Sequence, residues 1–261
     1  MEKRYIDIRK DILKLAKKTG QGRLGTDYSV VEIITSIYDE MKHNPNNPNL
    51  SDRDIFVLSK GHASLAYYTI LAHNGYFDLD DIETLRKYKS KFGGHPDRTK
   101  VPGVEASTGS LGHGIGLAVG MALAFKIQQN HRRVYVLVGD GEANEGTVWE
   151  AIAIAVNEKL DNLTVVFDVN QSQTRGLQLK NIAGVCKEFG CNVAEINGHD
   201  LNQINSSLYF KSYNKPNVVV ANTQKGYPCK TLVDNKFEWH SKVPDDNYYE
   251  ILMGELNEKT I

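Results

Sequence analysis

Short, uninterrupted apolar runs alternate along the chain with longer segments whose apolar positions recur at helical spacing. The runs predict strands at residues 55–58, 134–138, 163–167, 192–196 and 218–221. Because strands this apolar need cover on both faces, and because helical segments separate them, the pattern indicates a parallel sheet. We therefore predict a doubly wound α/β fold, a mostly parallel sheet with helices on both faces, whose ligand site lies beyond the carboxyl ends of the strands.

Helical spacing fills the segments around these runs. It predicts helices at residues 5–18, 29–41, 65–73, 80–88, 115–129, 148–159, 182–189 and 201–210. A turn rich in Asn and Pro at residues 43–49 ends the second helix, because proline and turn residues interrupt helical hydrogen bonding. We predict one domain at residues 1–225, followed by a C-terminal extension at 226–261 that packs on the domain or on a partner.

The composition excludes several classes of function. Hydrophobic residues make up 41% and charged residues 24% of the chain, which is typical of a globular protein rather than a disordered or fibrous one. The 31 basic and 32 acidic residues nearly cancel, so the charge indicates neither a nucleic acid nor a membrane as partner. The N-terminus has no apolar stretch that could serve as a signal peptide, and three cysteines without C-x-x-C spacing favour buried, reduced thiols. We expect a cytoplasmic protein.

Candidate chemistry lies in the loop after the second strand, where Asp140 stands between Gly139 and Gly141. The glycines allow phosphate oxygens close to the backbone, and the carboxylate can bind a hard cation. The next strand leads to Asn170 and Ser172, and parallel strands would bring the amide oxygen of Asn170 and a carbonyl near Ser172 to the same ion. A lone Gly-Asp-Gly is usually only a turn, but the 28 residues at 142–169 suit one helix and a return strand.

The same loops carry a family resemblance. Gly-Asp-Gly, a spacer of this length and an Asn form the signature of thiamine-diphosphate enzymes, and residues 139–151 are similar to the N-terminal half of transketolase. Further transketolase-like motifs follow in the family's order at residues 43–48, 52–54, 59–64, 94–96, 103–112, 198–200, 223–226 and 239–240. The resemblance implies the diphosphate-binding α/β fold of that family, with thiamine diphosphate and Mg²⁺ (or Ca²⁺ or Mn²⁺) as cofactors.

The resemblance also implies which residues hold the cofactor. Asp140, Asn170 and the carbonyl of Ser172 would bind the metal ion that bridges the diphosphate. Gly139 and Gly141 would lie against the diphosphate itself. The remaining cofactor contacts that the family pattern implies are Gly109, Ser110 and Leu111 beside the two rings, and His240 at the diphosphate.

The catalytic residues that the resemblance implies are His62, His95, Glu145 and His240. His62 and His95 would face the reacting carbon or the substrate hydroxyls, and flanking glycines on loops at strand ends favour this function over a surface or packing role. His240 would also reach the substrate end of the site. Glu145 would belong to a proton relay near a subunit interface that links two active sites.

One position departs from the family pattern. Arg23 stands where transketolases usually carry the His of a Gly-His pair, and an alignment with a small insertion would place Gln21 there instead. Arginine cannot release a proton near neutral pH, so it cannot act as an acid or base. It can form a fork on a carboxylate or a phosphate. We therefore expect Arg23 to contact substrate, and the donor or acceptor to differ from the usual pentose phosphates.

The family places a further glutamate, which activates the cofactor, on a pyrimidine-binding domain that follows this segment. Two explanations stay open for a chain of 261 residues: the diphosphate-binding subunit of a split enzyme, or a fragment or inactive relative. Intact Asp140, Asn170 and Glu145 favour the first, completed by a separate pyrimidine-binding subunit in an α2β2 heterotetramer. The leading function is transfer of a two-carbon ketol unit from a ketose (phosphate) donor to an aldose acceptor. The alternatives are ketol or acyl transfer to an unusual sugar or keto acid, and a non-catalytic cofactor-binding subunit.

Overall fold

The computed structural model describes residues 2–209 and 212–259. The strands are β1 (Ile55–Leu58), β2 (Val134–Gly139), β3 (Leu163–Val169), β4 (Asn192–Asn197) and β5 (Asn217–Asn222). The α-helices are α1 (Lys3–Thr19), α2 (Leu24–Ser29), α3 (Val31–Glu40), α4 (Ser64–His73), α5 (His113–Ile127), α6 (Gly146–Asn157), α7 (Ile182–Phe189), α8 (Leu201–Tyr209), α9 (Lys230–Asp234) and α10 (Asp246–Glu258).

The five strands form one sheet in the order β1-β2-β3-β5-β4, with every pair parallel. Alternate residues of β2 enter two different hydrophobic clusters: Tyr135 and Leu137 pack on one face of the sheet, and Val134, Val136 and Val138 pack on the other. Both faces are therefore covered, which explains why the strands read as continuous apolar runs. The predicted α/β fold is confirmed, and each predicted strand is present with its ends moved by at most two residues.

Two of the predicted helices differ from the structure. The helix predicted at 29–41 corresponds to α3 and to the last residue of a separate short helix, α2, and the two helices meet at Val30. The prediction at 80–88 is wrong beyond its first turn. A 3₁₀ helix covers Leu79–Thr84, and the backbone N–H of Arg86 then donates to the carbonyl of Phe92 at 2.9 Å, which folds the chain back on itself. Residue 210, the last of the helix predicted at 201–210, lies outside the described residues.

The segment after residue 225 packs on the rest of the chain. Helices α9 and α10 contribute Leu232 and Leu252 to the hydrophobic cluster that also contains Ile12 of α1, and Trp239 between them is buried in the same cluster. The boundary between residues 225 and 226 stays a prediction. Within the described residues, none of the helices combines the length and the apolar character that crossing a membrane requires.

Candidate active site

Asp168, at the carboxyl end of β3, is the centre of a buried polar network that sequence reasoning missed. Its Oδ2 accepts hydrogen bonds from Lys60 Nζ, from Ser29 Oγ at 2.8 Å and from Asn170 Nδ2 at 2.9 Å. Its Oδ1 accepts from the hydroxyl of Thr223. Burial alone would raise the pKa of Asp168, but the Lys60 ammonium and these hydrogen bonds hold the pKa below its ordinary value. The network joins the loops that follow β1, β3 and β5.

Asp140 lies directly after β2, next to this network. Its Oδ1 accepts from the backbone N–H of Gly141 at 2.8 Å, whereas its buried Oδ2 has no hydrogen-bond partner among the described residues. Burial and the nearby charge of Asp168 raise the pKa of Asp140. A buried carboxylate oxygen without a partner is unfavourable unless a cation or a donor reaches it. A Cβ added to Gly141 would meet no atom within 4 Å, so there is open space beside the carboxylate.

The loop after β3 turns towards Asp140. Asn170 is buried, and its Oδ1 accepts from the backbone N–H of Ser172 at 3.1 Å and from the Ser172 hydroxyl at 2.5 Å. The next backbone N–H, that of Gln173, is near enough to the carboxylate of Asp140 to offset part of the rise in its pKa. The structure therefore brings the three predicted metal ligands to one edge of the sheet.

These residues fit a magnesium diphosphate rather than a fully protein-held metal. The donor set is one carboxylate, one amide oxygen and one backbone carbonyl, all hard oxygens of the kind that Mg²⁺ prefers. Within the described part of the chain, no group of three or more His, Cys, Asp or Glu side chains could hold a metal ion. An ion at Asp140 would accordingly complete its coordination with phosphate and water oxygens, as magnesium commonly does.

Lys225 is a second feature that the sequence motifs contained without assigning it a role. Its side chain is 2% exposed, and its Nζ lies 3.0 Å from Oγ of Ser172 and 2.8 Å from Nδ1 of His240. Burial and the nearby charge of Lys60 lower the pKa of Lys225 to about 8. The structure thereby links the loop after β3 to His240, in a segment distant along the chain.

Glu142 fixes the loop that contains the predicted ring contacts. Its carboxylate accepts from Ser59 Oγ at 2.5 Å, from the Gly112 N–H at 2.8 Å and from the Gly139 N–H at 3.1 Å. Gly112 has a φ of +78°, and a Cβ there would lie 2.7 Å from Cβ of Glu145, so this position favours glycine on both counts. Residues 109–111, immediately before it, are held beside the ends of β1 and β2.

The three predicted histidines, His62, His95 and His240, lie close to one cavity. His62 and His95 line a cavity of about 380 Å³, and the ring of His240 is centred 6.5 Å from that of His62. A Cβ added to Gly109 would lie 3.3 Å from Cγ of His95, so the predicted ring-contact loop adjoins the same cavity.

The same three histidines are neutral at pH 7. Desolvation, followed by the charge of Lys60, lowers the pKa of His62 to about 2. Desolvation and the charge of Lys225 lower the pKa of His240 to about 4, and desolvation with two nearby arginines lowers that of His95. Their rings can therefore donate and accept hydrogen bonds but carry no charge near neutral pH.

Glu145 lies apart from this cavity. It is exposed at the N-terminus of α6, against Gly112 at the start of α5. Helices α5 and α6 pack together on one face of the sheet and leave apolar side chains in solvent: Leu117 is 47% exposed and Ile154 is 50% exposed. We call this surface the α5–α6 face and define it by Gly116, Leu117, Gly120 and Ile154.

Comparison with known proteins first identifies the class of domain. Residues 3–247 match the protein family described as "Transketolase, thiamine diphosphate binding domain". The chain belongs to the transketolase family through this domain, and the resemblance drawn from its motifs is confirmed.

The relatives have two different lengths. The chain is 40% identical to an apulose-4-phosphate transketolase subunit of Actinobacillus succinogenes, covering 99% of this chain and 96% of that protein. It is 33% identical to the 6-deoxy-6-sulfo-D-fructose transketolase subunit SqwG of a Clostridium species, covering 97% and 94%. It superimposes on the crystal structure of Campylobacter jejuni transketolase with a TM-score of 0.89 and 30% identity, covering 100% of this chain but 43% of that one. The chain thus has the extent of these two transketolase subunits and about two fifths of the extent of that solved transketolase.

Proposed function

We propose that this chain is the diphosphate-binding subunit of a split transketolase. With a pyrimidine-binding partner it transfers a two-carbon ketol unit from a ketose (phosphate) donor to an aldose acceptor. The observation that carries this proposal is the buried Oδ2 of Asp140, which has no hydrogen-bond partner among the residues that the structure describes, beside the open backbone of Gly141. Two similar proteins whose whole length the chain nearly matches are named as transketolase subunits, which supports the same function.

Asp140, Asn170 and the carbonyl of Ser172 would hold Mg²⁺, and the backbone at Gly139 and Gly141 would receive the diphosphate. Bound thiamine diphosphate supplies the carbon centre that carries the two-carbon unit. Lys225 would add positive charge beside Ser172, because its ammonium group already donates to the Ser172 hydroxyl. Residues 109–111, held by Glu142, would pack against the rings of the cofactor.

The histidines would orient substrate rather than act as charged acids. His62 and His95 face one cavity as neutral rings, so each can donate one hydrogen bond and accept another at a substrate hydroxyl. His240 would only donate, from Nε2, at the boundary between the diphosphate and the substrate, because its Nδ1 already accepts from Lys225. The histidines would thus orient substrate, and the partner subunit would activate the cofactor, as the family resemblance implies.

The α5–α6 face is the surface that we assign to assembly. It exposes Leu117 and Ile154 and adjoins Glu145, the residue expected near a subunit interface. An apolar face next to an incomplete cofactor site suits the pyrimidine-binding subunit, and two copies of each chain would form an α2β2 heterotetramer. The three free cysteines are buried, which suits a reducing compartment, and we place the enzyme in the cytoplasm.

Calorimetric titration tests the proposal. The chain should bind thiamine diphosphate in the presence of Mg²⁺, and Asp140→Ala should weaken that binding by at least about a hundredfold because the ion loses its carboxylate. Asp39→Ala is the matched control, since Asp39 pairs with Arg4 at an exposed position. An unchanged titration with Asp140→Ala would show that the metal assignment is wrong. Ketol transfer by the isolated chain at the rate of the assembled enzyme would contradict the need for a partner.

A further inference from the structure

The cavity beside His62 and His95 is positively charged and contains no acid. Arg23 and Arg86 both line it, and none of the described residues that line it carries a carboxylate. A cleft lined by charges of one sign focuses the local field and attracts counter-ions, so two arginines without a carboxylate indicate a site for an anion.

The guanidinium group of Arg23 is free to bind a ligand. Its backbone N–H donates to Oδ2 of Asp27 at 2.8 Å, which fixes the turn before α2. Its side chain is half-buried, and in the described part of the chain it makes neither a hydrogen bond nor an ion pair within 4.0 Å. A partly desolvated guanidinium with five donors gains most from an oxyanion that accepts two of them at once.

Arg86 is held at the same cavity by a different part of the chain. Its Nη1 donates to Oε1 of Gln21 at 2.6 Å, and its side chain packs over Gly94. Gln21 lies two residues from Arg23, so one hydrogen bond couples the positions of the two arginines. Among the described residues, no carboxylate forms an ion pair with the remaining donors of Arg86.

The other described cations near the site, Lys60 and Lys225, already have partners. Lys60 is buried in its ion pair with Asp168, and Lys225 donates to Ser172 and His240. His62 and His95 are neutral, and the charges of Arg23 and Arg86 contribute to keeping His95 so. Among the described residues, Arg23 and Arg86 are therefore the two charges in this cavity that are left for a substrate.

We propose that Arg23 and Arg86 form an anion subsite that binds a tetrahedral oxyanion carried by the sugar substrate, either a phosphate ester or a sulfonate. The subsite rests on the proposed function, because the cavity is the one that His62 and His95 share with the predicted cofactor loops. It places recognition of the charged end of the substrate on this chain. It also gives Arg23 a role that a histidine in its place could not fill, since a neutral imidazole offers a single donor.

Binding of small probes to the chain loaded with thiamine diphosphate and Mg²⁺ tests the subsite. We would titrate glycerol 3-phosphate, 2-hydroxyethanesulfonate, lactate and glycerol while following the arginine side-chain N–H signals by NMR. Arg23→Gln and Arg86→Gln should each weaken oxyanion binding by about tenfold to a hundredfold. Arg23→Lys should restore only part of it, because lysine keeps the charge but loses the fork. Arg4→Gln, on the exposed pair with Asp39, is the matched control.

Each outcome decides the proposal. Preference for glycerol 3-phosphate identifies a phosphate ester, and preference for the sulfonate identifies a sulfonate; both support the subsite. Equal binding of glycerol, tighter binding of lactate, or unchanged binding in both arginine variants would overturn it. The cofactor titration of the same variants separates this question from the proposed function. Loss of oxyanion binding should leave the affinity for thiamine diphosphate unchanged within about twofold. A wild-type chain that binds glycerol 3-phosphate through both arginines but binds no cofactor would refute the function and keep the subsite, and a chain that binds neither would refute both.

Discussion

The buried ammonium group of Lys225 lies 2.8 Å from Nδ1 of His240. An ammonium group only donates, so Nδ1 must be the acceptor and the single proton of the neutral ring must lie on Nε2. Lys225 thereby fixes the tautomer of His240 and makes its Nε2 a donor. The same ammonium donates to Ser172, whose carbonyl is a predicted metal ligand, so one side chain positions both the histidine and the metal loop.

Replacing Lys225 by Met should therefore weaken cofactor binding and disturb His240 together. We expect thiamine diphosphate to bind about tenfold more weakly, because the diphosphate loses a nearby charge-assisted donor. In ¹⁵N spectra the His240 ring should change from a single tautomer to a mixture. Lys225→Arg should recover the cofactor affinity more than the tautomer, and a Lys225→Met variant with an unaltered ring spectrum would contradict the positioning role.

The lowered pKa of Lys225 gives a pH dependence with a defined sign. Its pKa is about 8 in the folded chain and 10.5 in the unfolded one, so between these values the unfolded chain binds more protons. Stability relative to Lys225→Met should consequently rise as the pH increases from 8 to 10.5. Cofactor affinity should fall over the same range, because the diphosphate prefers the protonated amine. Urea unfolding and cofactor titration at pH 7, 8, 9 and 10 measure the two trends, which Lys225→Met should lack.

Asp140 should lower the stability of the apo chain but be required for cofactor binding. Its buried Oδ2 has no hydrogen-bond partner in the described part of the chain, and burial together with Asp168 raises its pKa, so the charged form is unfavourable in the apo chain. Asp140→Asn should raise the apo melting temperature by about 2–4 °C at pH 7 while abolishing cofactor binding. Since the folded pKa is raised, the wild type should regain stability relative to Asp140→Asn as the pH falls towards 5. A destabilised Asp140→Asn chain at pH 7 would show that the carboxylate is satisfied without an ion.

Asp168 should be the residue of the network whose loss destabilises the chain most. Asp168→Asn leaves the ammonium of Lys60 buried without a counter-charge, and removing one partner of a buried ion pair costs about 3–5 kcal/mol. Adding Lys60→Met should recover part of this loss because the uncompensated charge disappears. Urea unfolding measures both variants, with Asp39→Asn on the exposed Arg4 pair changing the free energy of unfolding by no more than about 1 kcal/mol. Additive effects of the two substitutions would argue against the coupling.

The sequence predicted those features that depend on local pattern and on parallel topology. Apolar runs located every strand, and the parallel arrangement then placed Asp140 and Asn170 at one edge of the sheet. The parts that depend on hydrogen bonds between distant segments could not be read in the same way. Asp168, a charged residue inside an apolar run, was the visible signal of the buried network, and Lys225 stood unassigned in a matched motif. The helix predicted at 80–88 failed because a backbone bond from Arg86 ends it, and the amphipathic pattern does not encode that bond.

The α5–α6 face makes the last prediction, which concerns assembly. Leu117→Asp should place a charge in the proposed interface, where its desolvation without a partner would prevent association with the pyrimidine-binding subunit. The isolated chain should keep its melting temperature within about 2 °C, since Leu117 is already half in solvent. Ile251→Asp is the matched control, because Ile251 is similarly exposed on α10, outside this face. Co-purification and sedimentation should then show a heteromer for the wild type and for Ile251→Asp but a single chain for Leu117→Asp. If Leu117→Asp assembles normally, the partner binds elsewhere, and Glu145 loses its proposed place at the interface.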